Sequence, residues 1–88
     1  MRSTTTPRFW KTYRDLPKEI KQQAKQTYTM WKRKPYHSSL HFKEVSKDVY
    51  SVRIGRGWRA LGLRENTDKI AWFWIGSHEE YNNLIKQL

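Results

Sequence analysis

The spacing of apolar residues changes once along this chain, from a helical repeat to an alternating one. Between Pro17 and Arg33 the apolar and aromatic positions are spaced by four, four and three residues, as on one face of an α-helix. After Asp48 the period becomes two, and residues 58–63 and 70–75 continue as runs rich in apolar, β-branched and aromatic residues. A helical half followed by a strand half predicts an α+β domain.

Prolines delimit the helices of the first half. Pro7, with Thr6 before it as N-cap, opens a short helix that Pro17 ends. A second helix then runs from Pro17 to about Arg33. Two helices joined this closely predict an αα-hairpin, and residues 1–6 in front of it are interpreted as a flexible lead-in.

The second half predicts a three-stranded antiparallel meander, or a four-stranded one, on which the αα-hairpin packs. Its strands are residues 50–54, 58–63 and 70–75, with a glycine-containing hairpin turn at 55–57. Ser77 and Glu80 are spaced as a capping box, so a last helix is expected from there to Leu88, with its inward face formed by Tyr81, Leu84, Ile85 and Leu88.

The connection between the two halves, residues 35–48, has no sustained period. We expect Leu40 and Phe42 to pin it against the core. A long irregular connection in a compact domain is often functional.

Size and composition limit the class of protein. The 88 residues suit one domain spanning 1–88, whose core depends on large side chains because 15% of the chain is aromatic. The absence of cysteine excludes disulfides, a thiolate nucleophile and a cysteine-based zinc site. The sequence contains neither a membrane-length apolar run nor a signal-peptide core, so we expect a cytoplasmic protein without a membrane partner.

The chain is strongly basic, with 18 Lys and Arg against eight Asp and Glu, which gives a net charge of +10. Residues 1–44 contribute eleven basic and three acidic side chains, so +8 of this charge lies in the first half. A field of this sign attracts polyanions, whether nucleic acid, anionic lipid or an acidic protein. Charge alone does not choose among them.

Two residues stand out as candidates for chemistry. Arg59 is the one charged residue in the apolar run 58–63, so its guanidinium needs a partner or a wet groove. It offers a planar fork of donors that suits phosphate oxygens. His78 lies at the boundary between the last strand and the last helix, where an imidazole can carry a proton in either direction. Both residues also have a purely structural explanation. Arginines on strands can keep sheet edges soluble, and a histidine at a helix end can be an ordinary surface residue.

Other catalytic patterns are absent or incomplete. The HExxH zinc motif fails because Asn82 occupies the position of its second histidine. His37 and His41 are four residues apart but lack a third ligand nearby, and there is no phosphate-binding glycine loop. RNA cleavage needs a base for the 2′-OH, an acid for the leaving 5′-oxygen and cations for the phosphorus oxygens, and histidine with arginine and tyrosine or lysine suffices without a metal or other cofactor.

The motifs, in their order, resemble the RelE/ParE superfamily of type II toxin–antitoxin toxins from about Pro7 onward. The sequences that carry the resemblance are TPRFW (6–10), PYHSSLHFK (35–43), YSVRI (50–54), GWRAL (57–61) and WFWIGSHEEY (72–81). The resemblance implies the small microbial-RNase-like α+β fold. For its RelE branch it implies a ribosome-dependent mRNA endonuclease (an mRNA interferase) that inhibits translation without a metal.

The resemblance also implies roles for individual residues. Arg59 matches the arginine that contacts the scissile phosphate, and Arg53 matches a basic residue on the preceding strand. His78 matches the proton donor or base after the last strand, and Tyr81 matches a C-terminal aromatic hydroxyl. The remaining basic residues expected to contact RNA are Lys43, Lys47, Arg56 and Arg64.

Two positions depart from the family pattern. A lysine base of one branch is replaced by Ser51, and a glutamate that another branch carries before the sheet has only Glu44 as an approximate substitute. The general base therefore stays open.

Three functions remain in view. The first is the mRNA endonuclease toxin, the second is a ParE-like inhibitor of DNA gyrase without catalysis, and the third is a non-toxic nucleic-acid-binding module on the same fold. For both toxins the expected partner is a cognate antitoxin with an acidic, amphipathic segment that becomes ordered on the basic face. For the first, mRNA and the ribosome are further partners.

Overall fold

The computed structural model describes all 88 residues and contains one five-stranded, mostly antiparallel sheet. The strands are β1 (Arg2–Thr5), β2 (Lys43–Ser46), β3 (Val49–Ile54), β4 (Trp58–Asn66) and β5 (Lys69–Ser77). Their order across the sheet is β1-β5-β4-β3-β2, and only the β1–β5 pair is parallel. The three predicted strands form the centre, and β1 and β2 are the edges.

Three α-helices accompany the sheet, and side-chain caps mark the start of the first and the last of them. Helix α1 (Pro7–Arg14) begins where the Thr6 hydroxyl accepts a hydrogen bond from the Phe9 amide. Helix α2 (Lys18–Arg33) follows after three residues, and α3 is His78–Ile85. At α3 the predicted capping box is present, since the Ser77 hydroxyl accepts from the Glu80 amide and the Glu80 carboxylate accepts from the Ser77 amide.

The helices cover opposite faces of the sheet. The αα-hairpin of α1 and α2 packs on one face around Trp31, which is only 1% exposed. Helix α3 packs on the other face, where Tyr81 joins a smaller cluster on β3, β4 and β5. We call these the hairpin face and the α3 face. Because side chains alternate along a strand, each central strand contributes to both faces.

The interpretation of residues 1–6 as a flexible lead-in is wrong, because Arg2–Thr5 form β1 alongside β5. The Arg2 amide donates to the Asp68 carbonyl, and the Asp68 carboxylate attracts both the N-terminal ammonium and Arg2. Backbone pairing holds this strand, and its Ser and Thr side chains show no apolar alternation. The expected three or four strands are therefore five.

The predicted connection, residues 35–48, contains two short elements. A single 3-10 turn spans Ser38–Leu40, and β2 pairs antiparallel with β3. Leu40 and Phe42 are buried, as predicted. His41, between them, has a left-handed backbone with φ of 46°.

The last helix is shorter than predicted. Helix α3 ends at Ile85, and Leu88 is 55% exposed instead of facing the core. None of the helices is long and apolar enough to span a bilayer.

Candidate phosphate-binding site

Two arginines face each other across the centre of the sheet. Arg53 on β3 is the direct partner of Arg59 on β4, and Arg59 is in turn opposite Gly76 on β5. Directly opposite residues project to the same face. The neighbours of Arg59 along β4 belong to the hairpin face, so these two residues, hereafter the arginine pair, lie on the α3 face. Gly76 places no side chain over Arg59.

The arginine pair is electrostatically unfavourable in the free protein. Burial lowers the pKa of Arg59, and the charge of Arg53 lowers it further. Neither guanidinium has a carboxylate within 4.0 Å, since the ion pairs of the molecule join the N-terminus and Arg2 to Asp68 and Lys69 to Glu65. Like charges directly opposite in a sheet destabilise it. A bound anion would remove this repulsion.

Carbonyl groups of the β3–β4 hairpin hold both guanidiniums. Arg59 Nη1 donates to the carbonyls of Trp58 and Arg56, at 2.8 and 3.4 Å, and Arg53 Nε donates to that of Gly55 at 2.9 Å. Gly55 has φ of 57°, the left-handed conformation that favours glycine and turns the chain here. The other donors of Arg59 have no partner within the protein.

His78 and Arg59 both approach the ring of Tyr81, because the start of α3 meets the β3–β4 hairpin there. His78 is the first residue of α3, and its amide donates to the Gly57 carbonyl of the hairpin at 2.7 Å. Its exposed ring lies 5.9 Å from the ring of Tyr81, and the Arg59 guanidinium carbon lies 6.0 Å from that same ring. Arg59 and His78 therefore share Tyr81 as a neighbour on one side of the molecule.

The hydroxyl of Tyr81 points into the protein. Tyr81 is 6% exposed, and its Oη donates to Ser51 Oγ at 3.3 Å, while Ser51 itself is 2% exposed. The resemblance implied a catalytic hydroxyl at this position. In the structure, the ring of Tyr81 lies under the site and its hydroxyl anchors it to β3.

His41 joins this region, and sequence reasoning considered it only as a metal ligand with His37. Pairing between β2 and β3 stops at Ser51, so Arg53 lies past the end of β2. There Arg53 Nη1 is 3.4 Å from His41 Nε2. His37 instead accepts a hydrogen bond from the Ser39 amide. The His41 backbone is left-handed at this point, and no spacing rule signals such a turn.

The other predicted RNA contacts are dispersed. Arg56 is exposed at the tip of the β3–β4 hairpin, next to the arginine pair. Lys43 is opposite Ser51 and shares the α3 face, while Lys47 lies in the turn at the far end of β3.

Arg64 lies away from the site. It donates to the Tyr50 hydroxyl at 2.9 Å and to the carbonyls of Asn66 and Thr67, on the hairpin face. The hydrogen bond to Tyr50 raises the pKa of Arg64. These contacts assign Arg64 to holding the β4–β5 turn.

Glu44 is directed away from the arginine pair. It is opposite Tyr50, whose side chain packs on the hairpin face, and its Oε2 accepts from the Asp48 amide at 2.8 Å. No group of three His, Asp or Glu side chains is arranged to hold a metal ion. Two partly buried guanidiniums beside an imidazole can bind a phosphate and move a proton next to it.

The fold is that of known bacterial and archaeal toxins. A chain of the RelB–RelE antitoxin–toxin complex from Methanococcus jannaschii superposes with a TM-score of 0.71 at 15% identity, covering 92% of this chain and 96% of that one. A YoeB/ParE toxin from Agrobacterium tumefaciens gives 0.67 at 14% identity, covering 89% and 99%. The isolated E. coli RelE toxin gives 0.64 at 16% identity, covering 98% and 96%.

Sequence comparison with a family model agrees with the fold. No curated protein matches the sequence. The model of the ParE-like toxin domain, however, matches residues 18–83, which include the second helix, the whole meander and most of α3. The matched segment contains the arginine pair, His78 and Tyr81. This chain therefore belongs to the ParE-like toxin domain family, within the RelE/ParE superfamily of toxins.

Proposed function

We propose that this protein is the toxin of a toxin–antitoxin system and acts, as a single domain, as a metal-independent endoribonuclease on mRNA at the ribosome. The observation that carries the proposal is the arginine pair. Two arginines directly opposite each other in the sheet, without a carboxylate within 4.0 Å and with an exposed histidine near the same tyrosine ring as Arg59, suit a phosphodiester.

The reaction follows from these groups. The 2′-oxygen attacks the adjacent phosphorus and the bond to the 5′-oxygen breaks, leaving a 2′,3′-cyclic phosphate and a 5′-hydroxyl. Arg59 and Arg53 stabilise the charge that develops on the phosphorus oxygens. His78 carries a proton, either from the attacking 2′-hydroxyl or to the leaving 5′-oxygen. Tyr81 keeps Arg59 and His78 on the same side through its ring.

An antitoxin is the partner that the charge favours. The Methanococcus jannaschii relative was solved as an antitoxin–toxin complex. With a net charge of +10 and three ion pairs, this chain presents mostly unpaired cations. An acidic, amphipathic segment would neutralise them and become ordered on binding.

Expression in a bacterial host tests the proposal. The wild type should arrest translation, with mRNA cut within ribosome-bound codons. Arg59→Ala and His78→Ala should each reduce cleavage by at least about 100-fold, because each removes a group used in the transition state. Lys86→Ala, which removes one charge at the far end of α3, is the control and should arrest growth like the wild type. Arrest with intact mRNA would reject the endonuclease.

The second candidate is a ParE-like inhibitor of DNA gyrase. It is favoured by the inward hydroxyl of Tyr81 and by the remote position of Glu44, because neither group can then act as the acid or base partner of His78. A binding protein needs no acid–base pair. Purified protein that blocks supercoiling and leaves RNA intact would establish this function, and growth that is indifferent to the protein would support the non-toxic binding module.

A further inference from the structure

A polar hollow lies between α2 and the β3–β4 hairpin, and Arg59 is not among the residues that line it. It has a volume of about 420 Å³ and separates α2, the 3-10 turn and the hairpin. This volume falls within the range of small-ligand pockets. Its lining includes Gln26, Thr27 and Met30 from α2, Ser39 from the turn, and Arg53 and Arg56 from the hairpin.

The charge of the hollow is positive and uncompensated. Arg53 and Arg56 are its charged lining residues, and neither has a carboxylate within 4.0 Å. The Nη2 group of Arg53 and all side-chain donors of Arg56 lack a hydrogen-bond acceptor in the protein. These free donors suit an anionic group.

The hollow also offers the two kinds of contact that a nucleobase needs. Met30 is 41% exposed and provides an adaptable apolar surface against which a ring can pack. The Gln26 amide forms no hydrogen bond within the protein, so both its donor and its acceptor can reach a base edge. Unstacked bases are recognised in this way in single-stranded RNA.

Arg53 connects the hollow to the arginine pair. It is one of the residues that line the hollow, and its charge lowers the pKa of Arg59. Arg59 Nη1 in turn approaches the carbonyl of Arg56 at 3.4 Å. A strand of RNA whose phosphate lies on Arg59 therefore has its neighbouring nucleotide within reach of the hollow.

We propose that the hollow binds the nucleotide adjacent to the scissile phosphate of single-stranded RNA, with its phosphate on Arg56 and its base between Met30 and Gln26. This inference rests on the proposed function, whose reaction takes place at Arg59. If it is correct, residues of α2 determine which base is preferred, and α2 packs on the hairpin face of the sheet, opposite α3.

Binding of labelled RNA, measured by fluorescence anisotropy, tests the proposal. The probes are eight-nucleotide single-stranded RNAs of each of the four bases, and the protein is the full chain carrying His78→Ala so that the RNA stays intact. Arg56→Ala should weaken binding of all four about fivefold. It should also reduce the slope of log affinity against log salt by about 0.7, the value for one phosphate contact on a single strand. Gln26→Ala should reduce the affinity ratio between the best and worst base by at least threefold.

Lys86→Ala is the matched control, because it removes one charge from the face opposite α2. Gln26 and Arg56 are exposed, so their variants should melt with the parent protein. Unchanged affinity and base ratio in both variants would overturn the proposal, as would equal weakening by Lys86→Ala.

Two further outcomes separate this inference from the ribonuclease. If wild-type protein cuts no RNA but both variants show the expected effects, nucleotide binding in the hollow is supported and the ribonuclease activity is rejected. If Arg56→Ala weakens binding of a ten-residue polyglutamate peptide and leaves RNA binding unchanged, the hollow is a protein-docking site and the inference is wrong.

Discussion

Arg59 carries a charge that the folded state disfavours. Burial and the charge of Arg53 both lower its pKa, so the cost applies wherever the side chain is protonated. Stability lost in this way returns only where the side chain loses its proton, and arginine stays protonated at the pH values at which proteins are studied. A residue kept at such a cost is expected at a functional site.

Replacing Arg59 by a neutral side chain should therefore stabilise the fold while it removes activity. For Arg59→Gln we expect a gain of less than about 1 kcal/mol in the free energy of unfolding, because solvent screens a half-exposed charge. The gain should be the same at pH 6 and pH 9 and should shrink in 0.5 M salt. Urea titrations at both pH values measure it, and a loss of stability would contradict the repulsion between the arginines.

The ring and the hydroxyl of Tyr81 have different roles, and two substitutions distinguish them. Tyr81→Phe leaves buried Ser51 without its partner, so we expect about 1–2 kcal/mol of destabilisation. Cleavage should stay within about threefold of the wild type wherever the variant is folded. Tyr81→Leu removes the ring beside Arg59 and His78 and should reduce cleavage about tenfold or more.

Thermal melts and single-turnover cleavage of RNA give both quantities for the Tyr81 variants. The double variant Ser51→Ala/Tyr81→Phe removes both polar groups and should recover part of the lost stability. A Tyr81→Phe protein that is folded and inactive would instead make the hydroxyl a catalytic group.

At the scale of elements, the close approach of β4 and β5 depends on a glycine. A β-carbon at Gly62 would contact Ile70 and would lie 2.8 Å from Cε3 of Trp72, inside the hairpin-face core. Gly57, in the neighbouring hairpin, has open space where its β-carbon would be. The same change from glycine to alanine would therefore meet close packing at position 62 and open space at position 57.

We expect Gly62→Ala to destabilise the protein by about 1–3 kcal/mol, because the surrounding rings must shift. Gly57→Ala is the control and should change stability by less than about 0.5 kcal/mol. Denaturant titrations measure both changes in the free energy of unfolding. Equal effects at the two positions would show that the β4–β5 contact is looser than the structure has it.

At the scale of the whole molecule, stability is limited by self-repulsion. The chain has eighteen basic residues and only eight acidic ones. Its ion pairs lie at the β1 edge and at the β4–β5 turn. Net charge far from zero destabilises a compact state. The cations of α2 and of the β3–β4 hairpin are left without a partner.

The melting temperature should therefore rise with ionic strength. Between 20 mM and 300 mM NaCl the Debye length falls well below the spacing of remote charges, so repulsion is screened. Inorganic polyphosphate should produce the same rise at far lower concentration, because one polyanion binds several basic side chains of the folded protein at once. Differential scanning calorimetry measures both effects. A melting temperature that falls on adding salt would mean that the few ion pairs outweigh the repulsion.

Periodicity, prolines and capping residues determined the helices and central strands, because these depend on neighbours in the chain. The Thr6 cap, the Ser77–Glu80 box and the hairpin turn at Gly55 involve contacts within a few residues, and the sequence predicts all three. The alternation on β3 and β4 also placed Arg53 and Arg59 on neighbouring strands. Their direct opposition depends on strand register, which the structure supplies.

What only the tertiary structure decided involves residues far apart in sequence. The strand Arg2–Thr5 forms because β5 has a free edge, and polar side chains carry no sign of that pairing. Likewise the Tyr81 hydroxyl meets Ser51 thirty residues away, and His41 reaches Arg53 through one left-handed residue. Such contacts are set by how the layers stack, so side-chain spacing along the chain could identify the candidate groups but could not show which of them face each other.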